Sequence, residues 1–169
     1  MAKITIIPYQ PKYQAEFKRL NLEWLDKYDL TESHDLEILD DPEGTVIGKG
    51  GYIFLAMDDK KVVGTAGISK ATEEIYELVK MAVDPQYRGM GISKILLDHC
   101  IEKANLLKAK KILLYSNSNL RAAIGLYEKY GFRHLPAIDS PFKTADIKME
   151  LDLDRPLPYL YPSIPPNGK

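Results

Sequence analysis

The stretch that most constrains this chain runs from Ile75 to Leu107. Ile75 to Val83 reads as a strand, ended by Asp84-Pro85 because proline cannot donate to a ladder. Gln86-Tyr87-Arg88-Gly89-Met90-Gly91 then opens a helix expected to run to about Lys108, with Ile92, Leu96, Cys100, Ala104 and Leu107 on one stripe. A strand that hands over to a helix in this way leaves the first helical N–H groups unpaired, and the helix dipole turns them into an anion site. Gly89 and Gly91 permit positive φ and close backbone approach, and Arg88 adds a fixed positive charge. A glycine turn without a ligand is the alternative. The adjoining Gln86, Arg88 and Ser93, right after an apolar strand, favour phosphate or pyrophosphate.

Two familiar phosphate motifs are excluded. A dinucleotide fingerprint needs a third glycine where this chain has Lys94. Gly44 to Gly50 is one residue too short for a Walker loop and lacks the hydroxyl that holds magnesium, so Asp41 to Gly51 is read as a loop.

Around this stretch the expected order is a strand over Lys3 to Ile7, a helix from Pro11 to Tyr28 and a short helix from Glu32 to Leu39. Strands follow over Tyr52 to Met57 and Val62 to Ser69, joined by a turn at Asp58-Asp59-Lys60. After the central helix come a strand at Lys111 to Tyr115, a helix from Leu120 to Tyr130 stopped by Gly131, and strands over Phe132 to Leu135 and Ala145 to Leu153. This is a mixed α/β (α+β) pattern around one sheet, in one domain over residues 1–154. Residues 155–169 hold five of the eleven prolines and two tyrosines and read as an extended arm.

With 23 Lys and Arg against 24 Asp and Glu, the formal net charge of −1 gives no whole-molecule reason to hold nucleic acid. The single Cys100 excludes an internal disulfide, and His34, His99 and His134 show no zinc-ligand spacing. No metal is therefore expected. No apolar run approaches the roughly 18 residues a membrane helix needs, and Met1 to Pro8 has no leader pattern. A cytoplasmic protein without a membrane partner is the expectation.

Two ordered motifs carry a family resemblance. Gln86-Tyr87-Arg88-Gly89-Met90-Gly91 resembles the Gln/Arg-x-x-Gly-x-Gly/Ala coenzyme A signature of the GNAT N-acetyltransferases, and Ala123-Ile124-Gly125-Leu126-Tyr127-Glu128-Lys129-Tyr130-Gly131-Phe132 is similar to the family's helix–strand junction. The likeness covers about residues 3 to 153. Glu77 to Val83, with Asn117 to Leu120, resembles more narrowly a subgroup sometimes fused to helix-turn-helix repressors. The resemblance implies a mostly antiparallel sheet flanked by helices, with acetyl-coenzyme A as co-substrate and a small-molecule or peptide amine as acceptor. Dimers are frequent in the family, so a homodimer is an expectation too.

By position, the resemblance implies that the backbone from Arg88 through Gly89, Met90, Gly91 and Ile92 to Ser93 binds the pyrophosphate. Met81 and Val83 would pair with the pantetheine arm, and the Val83 N–H would stabilise the oxyanion. Tyr127 would lie near the sulfur and protonate the departing thiolate, although a helix tyrosine can equally be a core residue. Leu120 stands where many members have a coenzyme-binding asparagine, so Asn119 or Asn117 is expected to substitute.

Strand alternation would put Ile75, Glu77, Val79, Met81 and Val83 on one face. A carboxylate among apolar residues is costly without a task or a partner. Glu77 is thus a candidate base for the incoming ammonium, directly or through water; the alternative is a salt bridge with Lys80 or Lys70, and a bulge, common in this strand of the family the chain resembles, would change the facing. Cys100, on the apolar stripe, reads as a core thiol. Trp24 and Tyr28 read as core, although the family resemblance implies that the first helices often border the acceptor pocket, and the same resemblance implies that Ser140-Pro141-Phe142 lines that pocket. A non-catalytic acetyl-coenzyme A binding protein, or an interaction protein working through the Pro/Tyr arm, are the other readings.

Overall fold

The computed structural model describes residues 3–154, so the Pro/Tyr-rich extension lies outside the described residues. Seven strands form one sheet in the order β1-β2-β3-β4-β5-β7-β6. They are β1 (Ile4–Pro8), β2 (Tyr52–Asp58), β3 (Lys61–Lys70), β4 (Ile75–Val83), β5 (Lys111–Ser116), β6 (Arg133–Leu135) and β7 (Ile147–Asp152). Every neighbouring pair is antiparallel except β4 and β5. The helices are α1 (Gln14–Lys27), α2 (Ser33–Asp40), α3 (Pro42–Thr45), α4 (Ile92–Leu106) and α5 (Arg121–Lys129).

The sheet separates two cores. On one face α4 buries Ile92, Leu96, Cys100 and Ala104 against Val63, Ala66, Tyr76, Leu78 and Ile112, and α5 adds Tyr127. On the other, α1 and α2 bury Phe17, Leu20, Ile38 and Leu39 against Ile53, Leu55 and Val62. Cys100 is fully buried, and burial pushes its thiol far up, as a core thiol requires. Among the described residues, no helix is long and apolar enough to cross a membrane.

Three expectations are corrected. The segment from Asp41 to Gly51 is not a plain loop. Asp41 accepts the Gly44 N–H at 3.0 Å as the N-cap of α3, with Pro42 in its first turn and Val46 buried beyond it; a one-turn helix is too short to show a periodicity. The central helix starts at Ile92 and not at Gln86, because Gly89 and Gly91 have φ of 79° and 76°, which a right-handed helix cannot contain. Finally, β4 does not keep one alternation. Gly67 pairs with Val79 and Thr65 with Ala82, so Lys80 and Met81 together oppose Ala66, and Lys80 takes φ 53°. This bulge separates Glu77 and Val79 from Met81 and Val83. Lys80 reaches Asp35 of α2, whereas Met81 and Val83 pack with the α4–α5 core.

The bulge lies where the sheet opens. β4 and β5 pair only over Ile75–Glu77 and Lys111–Leu113. Beyond Glu77, β4 has no partner on that side among the described residues, and the two strands leave a gap in the sheet.

Candidate active site

A cavity of about 490 Å³ fills the gap between β4 and β5, a size that suits a small-molecule site. Its walls come from α1, α2, β4, the loop into α4, β5, α5 and the segment before β7. Of the residues singled out in the sequence, Glu77, Met81, Val83, Arg88, Gly89, Gly91, Ile92, Ser93 and Tyr127 line it. Met90 and Asn119 do not: the Met90 side chain is exposed, and the Asn119 N–H turns back to Asn117 Oδ1 at 2.9 Å. Asn117 and Leu120 do border the cavity, with the Asn117 amide donating to the Thr144 carbonyl at 2.6 Å.

At the coenzyme-signature end, a 3₁₀ turn over Pro85–Tyr87 is capped by Asp84, which accepts the Gln86 N–H at 2.9 Å. The amides of Gly89 through Ser93 have no acceptor among the described residues, so they form the unpaired cluster expected at a helix N-terminus. The Arg88 guanidinium lies 5.2 Å over the Trp24 ring of α1, a cation–π contact that carries its charge across the cavity wall.

Along β4, the Asp84 N–H donates to Val63 of β3 at 2.8 Å. Successive amides of a strand point to opposite sides, so the N–H groups of Val83 and Met81 face the gap. Tyr127, on α5, is 7% exposed. Its hydroxyl lies 3.8 Å from the Met81 sulfur and its ring 5.7 Å from that of Phe132. Burial, with a smaller contribution from Cys100, pushes the phenol well above its ordinary range, so the hydroxyl keeps its proton.

At the other end, Glu77 is half-buried. Burial raises its carboxyl, and the charges of His34 and Lys80 only partly offset this. The sequence left two cations as its partner, and neither serves. Lys70 pairs with Glu73 at 2.9 Å, and Lys80 pairs with Asp35. Among the described residues the Glu77 carboxylate makes no ion pair or hydrogen bond. Trp24 and Tyr28 are wall rather than core, half-buried and edge-to-face at 5.2 Å, and Phe142 joins them from the segment before β7 while Ser140 and Pro141 do not.

Three participants escaped the sequence reading. Asn21, buried in α1, donates to Thr65 Oγ1 at 3.1 Å, and that hydroxyl donates to the Lys80 carbonyl at 2.8 Å, fixing the bulge at the cavity wall. Asp35 is buried beside it. A buried polar residue on a helix otherwise read as amphipathic was the only available signal. Among the described residues no cluster of His, Cys, Asp or Glu could hold a metal.

The match to known proteins agrees with this geometry. The profile of the acetyltransferase (GNAT) family matches residues 11–132. Over 92 residues the chain is 38% identical to the N-acetylaspartate synthetase of Rattus norvegicus, a stretch that covers 53% of this chain and 30% of that relative. A GNAT-family acetyltransferase from Staphylococcus aureus Mu50 superposes with a TM-score of 0.83 at 26% identity, covering 89% of this chain and 99% of that one. A GNAT-family acetyltransferase from Elizabethkingia anophelis with acetyl-CoA bound shares the fold at 22% identity and a TM-score of 0.65, covering 89% and 98%. The chain belongs to the GNAT acetyltransferase family.

Proposed function

We propose that this chain transfers the acetyl group of acetyl-coenzyme A to a primary amine by direct attack. The observation that carries the reading is one cavity bordered by an unpaired amide cluster at Gly89–Ser93, a proton-bearing phenol at Tyr127 and an ion-pair-free carboxylate at Glu77. Support for acetyl-coenzyme A comes from the Elizabethkingia neighbour, which shares the fold and holds that molecule. The narrower likeness to domains fused to repressors remains a resemblance of sequence.

In this mechanism the amides of Gly89 to Ser93 receive the pyrophosphate, with the α4 dipole behind them. Tyr127 gives its proton to the sulfur as the carbon–sulfur bond breaks. Burial makes the phenol a weak acid, but the same apolar surroundings raise the basicity of the departing thiolate, which brings the two closer. The hydroxyl stands at Met81. Met81, whose sulfur it meets, carries one of the gap-facing N–H groups; Val83 lies two residues further, about 7 Å along the strand. This geometry favours Met81 N–H as donor to the thioester oxygen and leaves Val83 N–H for the pantetheine arm.

Glu77 takes the proton that the ammonium must lose before its nitrogen can attack the carbonyl carbon. Met81 lies four positions beyond Glu77, and the bulge removes one step, which leaves about 10 Å along the strand. A glutamate side chain covers part of that distance and water the rest, so the relay runs through water. No covalent enzyme intermediate is needed, and Cys100 is buried in the core away from any such role.

The test is thiol release from acetyl-coenzyme A with a panel of amines, run beside Tyr127→Phe. Amine-dependent release that drops sharply in the variant supports the reading. Tight coenzyme binding by calorimetry without release from any amine would sink it in favour of a binding protein.

A further inference from the structure

Glu32 joins two parts of the chain that are far apart in sequence. Its Oε1 accepts the Lys143 N–H at 2.8 Å, and its Oε2 accepts the Thr144 N–H at 2.9 Å and the Thr144 hydroxyl at 2.5 Å. Three donors on one carboxylate, two of them backbone amides, form a specific clasp. Burial alone would raise this carboxyl, but the hydrogen bonds from Thr144 and Lys143 outweigh it and hold the group below its usual range. The clasp is therefore anionic over the ordinary pH range.

Glu32 is itself fixed. It is the N-cap of α2: its N–H donates to Asp35 Oδ2 at 2.9 Å, one half of a capping box, and its carbonyl accepts the Asp35 N–H at 3.0 Å. The other Asp35 oxygen takes the Lys80 ammonium of the β4 bulge. On the opposite flank, Asn117 Nδ2 donates to the Thr144 carbonyl, and the N–H and hydroxyl of Ser118 donate to Asp146 at 2.8 and 2.7 Å. Residues 142–146 thus form a strap without regular structure, anchored at both ends across the gap between β4 and β5.

The strap faces the cavity through Phe142, Thr144 and Ala145. Phe142 is held by its neighbours: Lys80 Nζ stands 5.2 Å over its ring, and the His34 ring packs edge-on at 4.9 Å. These contacts lie at the Glu77 end, since His34 and Lys80 are the two charges that act on Glu77. The amides of Gly89 to Ser93 lie at the other end of the cavity wall.

We propose that Glu32 is the positioning residue for the amine half of the site: by clasping Lys143 and Thr144 it holds Phe142 against the cavity and thereby sets which amines fit. This rests on the acetyltransferase reading above. Glu32 touches no substrate and acts through the strap. It governs affinity and selectivity for the amine and leaves the affinity for acetyl-coenzyme A and the chemistry at Tyr127 unaltered.

The test compares the wild type with Glu32→Ala, Glu32→Gln and Thr144→Val. The panel is primary amines graded in size, from ethanolamine through 2-phenylethylamine to tryptamine. Glu32→Ala is expected to raise the KM of the best amine about tenfold and to shift the ranking toward bulkier amines, with kcat and the acetyl-coenzyme A Kd within about twofold. Gln keeps one acceptor oxygen and falls between. Thr144→Val removes one donor without touching the cap of α2, so it reports on the clasp even where Glu32→Ala weakens the fold. Hydrogen exchange at the amides of Lys143 and Thr144, read on the same proteins, is expected to accelerate at least about tenfold in Glu32→Ala. Unchanged exchange overturns the proposal, as does faster exchange with the amine KM and ranking unmoved. If the wild type turns over no amine, the acetyltransferase reading falls, and the exchange arm still decides whether Glu32 holds the strap.

Discussion

The Tyr127 hydroxyl lies 3.8 Å from the sulfur of Met81, so a phenol from α5 is seated on the strand whose amides face the gap in the sheet. Nothing else among the described residues receives that hydroxyl as a strong acceptor. Tyr127→Phe therefore removes a proton donor with little structural cost. We expect kcat to fall about 10²-fold, coenzyme affinity measured by calorimetry to hold, and stability in urea to change by less than about 0.5 kcal/mol. A variant with full turnover would move the proton source to water.

The junction before α4 was legible because its glycines adopt the conformation that only glycine adopts easily. Gly91 has φ 76° and caps α4, and a Cβ added there would meet nothing within 4 Å. Gly91→Ala should thus cost about 1–2 kcal/mol from backbone strain alone, read by urea denaturation. Any relaxation of that strain would turn the neighbouring amides, so coenzyme affinity should fall at least about tenfold. Wild-type binding in a destabilised variant would place the anion site elsewhere.

Much of the Glu77 side of the cavity was illegible, for a physical reason. The bulge in β4 sits at Lys80, a lysine at φ 53°, and nothing in the residue type marks it. Its support comes from Asn21, Thr65 and Asp35, which stand 59, 15 and 45 positions away in the chain. The Glu32 clasp spans 112 positions. Periodicity reports on contacts within an element, so it found the strands and the longer helices α1, α2, α4 and α5, and it missed the one-turn α3. It could not find pairings made only when the sheet closes. It also mis-set the facing of Met81 and Val83 relative to Glu77, because one extra residue inverts an alternation.

The Asp35–Lys80 pair gives a stability prediction. Both side chains are almost fully buried, at 3% and 7% exposure, and Asp35 also accepts the Glu32 N–H. Asp35→Asn leaves the Lys80 ammonium buried without a counter-charge. The expected loss is about 3–5 kcal/mol, measured by urea denaturation, and the Asp35→Asn, Lys80→Met double variant should recover part of it. Equal losses in the single and double variants would show that the capping box, and not the charge, carries the cost.

Glu77 yields two pH signatures of opposite use. Burial raises its native carboxyl above the ordinary range, with His34 and Lys80 opposing. As a base it works ionised, so the acid limb of the kcat/KM profile should stand above the usual carboxylate pKa, and Glu77→Gln should lower turnover and abolish that limb. Stability runs the other way. Between the unfolded and the raised native pKa, the native state binds more protons than the unfolded state, so stability falls as pH rises through that window. Glu77→Gln removes this dependence. The variant should match the wild type in acid, below both pKa values, and become the more stable of the two as pH rises toward neutrality. A stability difference that does not change with pH would mean that burial does not act on Glu77, and the acid limb would then belong to another group.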